Sequence, residues 1–125
     1  MNIYLGTAAV LSLLGGVIHS VLGERLIFRV LPEAGLPEVS GSRTFTKRIL
    51  RLFWHLVSVA WWGLAAVLWG LAAIPNLDAT ARWLANLIGL TFLASFIVAL
   101  VGSHGRHFAW VVLLLIALLV WLGLR

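Results

Sequence analysis

The 125 residues contain no cysteine, so disulfides, thiolate metal ligands and cysteine nucleophiles are all excluded. Charge is nearly as scarce, with nine Lys and Arg against four Asp and Glu. No acidic residue falls in the middle of an apolar run, which argues against a proton- or cation-coupled transporter. The single Met, with no Cys beside it, argues against a soft copper(I) site. Three prolines stand at 32, 37 and 75, at the edges of apolar runs rather than inside them. The signatures GxSxG, GxGxxG, HExxH and the Walker loop are missing as well. Soluble enzyme chemistry therefore has little to stand on.

What remains is 62% hydrophobic, too apolar for the core of one small soluble domain to hide. Charge-free runs occupy 1–23, 52–77, 83–105 and 107–124. A membrane-spanning helix needs about 20 apolar residues. The runs predict an all-α, integral membrane four-helix transmembrane bundle, one domain over 1–125. Its helices are expected at about 3–23, 45–73, 80–103 and 107–124, antiparallel and up-down, with a loop or interfacial segment over 24–44. Nothing basic precedes the first run and no small-x-small cleavage site ends it, so it reads as a retained helix.

Local signals set the expected boundaries. Thr44 or Thr46 suits the cap of helix 2, Pro75-Asn76 its end, and Asp78 or Thr80 the cap of helix 3. The short link between helices 2 and 3 predicts that they are neighbours. Arg25 and Arg29, four apart, mark an amphipathic extension of helix 1.

Seven of the nine basic residues fall on the face holding the 24–51 connection and the 103–107 turn. The positive-inside rule makes that face cytoplasmic and puts both termini on the non-cytoplasmic side of a bacterial inner membrane. The basic character thus speaks for topology and anionic lipid, with no nucleic-acid partner implied.

All four histidines map to the basic end, one per helix: His19, His55, His104 and His107. An imidazole in a bilayer is expensive and usually has a partner or a task. One reading closes all four around a zinc, iron or copper(II) ion, with Glu24 added if Gly23 breaks the helix and turns it inward. A second reading uses His19 and His55 as axial ligands of haem b, with Arg48 and Arg51 receiving the propionates. In that version Trp54, Trp61 and Trp62 wall the pocket. Either centre would serve electron transfer, with a quinone as partner, or metal handling. The plain alternative makes His104 and His107 turn residues, and has His19 bond a carbonyl or Ser58. A hydrolase built on Ser20 or Ser58 lacks an Asp at that end, with Glu24 a thin substitute.

Ala8, Ser12, Gly16 and Ser20 form a small-xxx-small ridge for close helix contact, within the bundle or with a second copy. Asn86, Thr91 and Ser95 suit interhelical hydrogen bonds, and several tryptophans suit interfacial belts.

The strings His19-Ser-Val-Leu-Gly-Glu24-Arg25 and Arg51-Leu-Phe-Trp-His55-Leu-Val-Ser58, with Gly105-Arg-His107, resemble an uncharacterised family of small four-helix bacterial membrane proteins. That resemblance spans most of the chain and implies the architecture alone. Two function classes follow: a membrane metal- or haem-binding protein, or a non-catalytic subunit or assembly factor of a larger membrane complex or homo-oligomer. Whether any reaction is catalysed is left open by the residues.

Overall fold

The computed structural model describes all 125 residues and is all-helical. Helix α1 covers Ile3–Leu22, α2 Arg43–Ala73, α3 Ala79–Gly102 and α4 Ala109–Gly123. Three of them are long and apolar enough to cross a membrane. At 15 residues α4 is about 22 Å long, short of the roughly 30 Å hydrocarbon core. The sequence-based expectation of four full spans is thus met by three, with α4 shorter than its apolar run because Ser103–Phe108 is spent on a turn.

Only 22 of the 125 residues are buried, far fewer than a soluble domain of this size needs to remain folded in water. Large apolar side chains such as Val98, Val101 and Leu26 lie on the outside. A surface of this kind suits lipid as the solvent.

Each helix starts where a side chain can satisfy its first N–H groups. Asn2 Oδ1 accepts from Tyr4 and Leu5, and Asp78 Oδ1 accepts from Ala81. Helix α2 is capped by Ser42, whose hydroxyl accepts from Phe45, and not by Thr44 or Thr46. Thr46 is buried instead and ties the loop, accepting from Val39 N–H and donating to the Pro37 carbonyl. Thr44 donates to Glu33.

Gly23 does not break α1. Its backbone stays right-handed helical, and the chain continues through a wide π-helical turn, Gly23–Phe28. A π turn carries one extra residue, which re-aims the side chains that follow it. Helix α3 ends in a Schellman motif: Gly105 N–H donates to Leu100 O and His104 N–H to Val101 O. His104 occupies the left-handed position (φ +50°) that glycine usually takes, with Gly105 next to it at +73°.

In space α1 lies between α2 and α4, and α3 packs on the far side of α4. The link of 74–78 does not make α2 and α3 close neighbours. They meet over a small patch where the Trp61 and Phe92 rings stand 6.3 Å apart. The reason is α1: its ridge of Ala8, Ser12 and Gly16 is buried against α2, which settles that this ridge works inside the bundle. Ser12 Oγ donates to the Trp61 carbonyl, and a Cβ on Gly16 would come within 2.6 Å of Trp62 Nε1. The apolar core, centred on Leu5, Leu68, Phe92 and Ile116, lies toward the end away from the basic loop. That leaves the basic end for polar contacts.

Candidate functional site

The site forms where the end of α1 and its π turn cross the first half of α2. Arg51 and His55, four residues apart on α2, share a helix face. The π turn brings Glu24 to that face. Arg51 grips it with a two-pronged ion pair, Nε to Oε2 at 2.8 Å and Nη2 to Oε1. Glu24 Oε2 also lies 3.2 Å from His55 Nε2. On its other side His55 Nδ1 is 2.9 Å from Ser20 Oγ, which in turn is 2.8 Å from the buried Ser58 Oγ. The result is one continuous chain, Arg51–Glu24–His55–Ser20–Ser58.

Ser20 Oγ donates to Ser58 Oγ, and the direction of its contact with His55 Nδ1 follows from which ring nitrogen carries the proton. The order hydroxyl, imidazole, carboxylate is that of a serine hydrolase relay. Two features count against that use. The carboxylate is committed to Arg51, and Ser20 sits mid-helix, where surrounding N–H groups serve the helix and none is free to hold an oxyanion.

His19 lies beside this chain and not in it. Its ring is stacked on Trp54, with centroids 4.2 Å apart and planes 4° from parallel, and Trp61 closes the other flank at 5.4 Å. Trp54 Nε1 donates to the His19 carbonyl. The His19 Nε2 atom is buried and has no hydrogen-bond partner. Trp54 fits here because Gly23 has no side chain: a Cβ there would overlap the indole. The expected bond from His19 to Ser58 is not made, since Ser58 is taken by Ser20.

The other two histidines occupy the α3–α4 turn. His104 is exposed and serves the Schellman motif. His107 is exposed, and its Nδ1 accepts from Ala109 N–H at the start of α4. No three His, Asp or Glu side chains meet closely enough to hold a metal ion as they stand. Of the residues expected to form a site, Glu24, Arg51 and His55 are brought together, and His19 stands next to them.

Arg48 lines a different feature, a cleft of about 840 Å³ between the π turn and the start of α2. Arg25, Arg29, Lys47 and Arg51 line it too, with Glu24 and Glu33 as the only carboxylates. Neither His19 nor His55 reaches it. Arg51 faces Glu24, so of the two proposed propionate partners only Arg48 has a free guanidinium.

Three further polar contacts involve α3. Asn86 accepts from Trp121 Nε1 at 2.9 Å, an α3–α4 bond as expected from its place in the span. Thr91 and Ser95 donate to carbonyls four residues back on their own helix, so they are not interhelical. Comparison of the chain with known protein families, curated proteins and solved structures finds no match.

Proposed function

We propose that this protein is a bacterial inner-membrane protein whose histidine centre takes a metal at His19. The bundle is antiparallel in this reading, with both termini on the non-cytoplasmic side and the basic end in the cytoplasm. One observation carries the proposal: a buried imidazole nitrogen without a partner, in a medium that offers none. Burying such an atom costs on the order of 1–3 kcal/mol unless something occupies it. A zinc, iron or copper(II) ion is the chemical class that neutral imidazole prefers.

Among the other histidines, His55 would have to release Ser20 from Nδ1 to join His19 as a ligand. Glu24 then acts on His55 as an orienting carboxylate, an arrangement metal-binding histidines commonly use. A lone ion fits this neighbourhood better than haem, because a macrocycle would have to displace Trp54, stacked on His19, or the tilted Trp61 ring beside it. Electron transfer with a quinone, or metal handling, are the uses such a centre would serve.

A second reading rests on His55. Both its ring nitrogens are spent on Ser20 and Glu24, as in an interhelical clamp, which suits a non-catalytic subunit or assembly factor of a larger complex.

Elemental analysis and visible spectra of the detergent-purified protein, with and without dithionite, separate these. Near-stoichiometric zinc, iron or copper that is lost in His19→Ala and kept in His104→Ala supports the ion centre. A Soret band that shifts on reduction replaces the ion with haem. Neither metal nor chromophore, even after reconstitution, leaves the subunit reading.

A further inference from the structure

The cleft beside the histidine centre has more positive charge than the protein itself balances. Five cationic side chains line it against two carboxylates, a net charge of three. The internal pairings use up only part of that. Glu24 is taken by Arg51, Glu33 accepts from Thr44, and Lys47 Nζ donates to the Leu31 carbonyl at 2.8 Å. Arg25, Arg29 and Arg48 make no ion pair. Arg25 comes from the π turn, Arg29 from the residue that caps it and Arg48 from α2, so the two walls of the cleft repel each other unless an anion lies between them.

We propose that this cleft binds a phosphate-bearing anion, held between Arg25 and Arg29 on one wall and Arg48 on the other. Planar guanidinium groups bind phosphate oxygens in pairs, and a group of charge near −2 offsets most of the surplus of three. Val21 and Phe28 give the cleft an apolar side at the depth where α1 leaves the predicted span. Below Arg48 and Arg51 a shallow groove continues along α2 over Leu52, Leu56 and Val59, an apolar strip of the kind an acyl chain follows. The same phosphate chemistry comes from two sources, a lipid headgroup or a soluble phosphate. The three arginines that hold the anion touch none of the histidines, and His55 lines only the groove below, so the anion site stands or falls apart from the metal proposal.

The test is a binding titration on the purified full chain in phosphate-free buffer. One arm uses inorganic phosphate, the other dioleoyl phosphatidic acid in nanodiscs, with phosphatidylcholine as the control. Saturable binding of the acid lipid alone assigns a headgroup site, and of phosphate alone a soluble ligand. Binding of both supports the shared chemistry. Arg25→Gln with Arg29→Gln, and separately Arg48→Gln, should each weaken binding about tenfold or more. Arg43→Gln, whose guanidinium pairs with Glu38, should leave it unchanged.

Absence of saturable binding in both arms overturns the proposal, as does equal weakening by Arg43→Gln. A footprint on the unmodified protein covers the case of variants that misfold. Bound ligand should shield Arg25, Arg29 and Arg48 from phenylglyoxal more than Arg43, Arg106 and Arg125. Uniform shielding would count against the site.

Discussion

The Trp54 indole lies flat on the His19 imidazole while its Nε1–H donates to the carbonyl of that same residue. One tryptophan on α2 thus holds both the ring and the backbone of one histidine on α1. Space for it exists only because Gly23 follows one turn later.

Gly23→Ala should therefore be destabilising. The new methyl would overlap the indole, and displacing a packed tryptophan costs about 1–3 kcal/mol. Gly63→Ala is the control, because nothing lies within 4 Å of a Cβ there. Unfolding in mixed micelles followed by tryptophan fluorescence should separate the two variants. Equal stability of both would remove Gly23 from its assigned role.

Glu24 and Arg51 should behave as one unit. Removing either leaves the other with a lost partner, so Glu24→Gln and Arg51→Gln each lower stability. Their double variant should be no worse than the more damaging single, the mark of direct coupling. Additive losses in that cycle would mean that the pair contributes nothing measurable, as many half-exposed ion pairs do.

His104→Gly should be stabilising. The left-handed conformation costs a side chain roughly 1–2 kcal/mol that glycine does not incur, and the loss of a histidine at a helix C-terminus offsets only part of this. A gain near 1 kcal/mol, with metal content unchanged, fits a turn residue. A fall in bound metal would instead make His104 a ligand.

Asn2 ties three helices at the other end. Its Oδ1 caps α1, its Nδ2 donates to Gly123 O at 2.7 Å, and its backbone N–H donates to Ala72 O. Asn2→Ala should cost about 1–2 kcal/mol, from the lost cap and the lost cross-helix bond. Asn2→Ser keeps a cap acceptor and loses the donor to Gly123, so its cost should be the smaller of the two. The same micelle unfolding assay ranks them.

Much of the site could be read in the residues, since Arg51 and His55 four apart must share a face, and Asp78 is one of the two caps the residues offer for α3. Other parts could not. Glu24 reaches His55 through a π turn, and nothing in the string Gly-Glu-Arg-Leu-Ile-Phe distinguishes such a turn from an ordinary one. His104 was legible as a turn residue but not as the left-handed one, because the neighbouring Gly105 is the better candidate by propensity. Trp54 against Gly23 joins residues 31 apart, beyond any local pattern.

Alone, the sequence determined how many helices form, about where each begins and ends, and which end collects the charge. Those properties are local: hydropathy over a run, a cap, a proline. Tertiary structure decided which helix lies beside which, with α1 between α2 and α4, and which side of each faces inward. Lipid solvates an outward leucine as well as the core does, so an apolar pattern cannot mark the inside of a membrane bundle. Small residues and polar pairs such as Gly16 with Trp62, Ser20 with His55, and Glu24 with Arg51 mark it instead. Their partners lie on another helix, and only the packed chain brings them together.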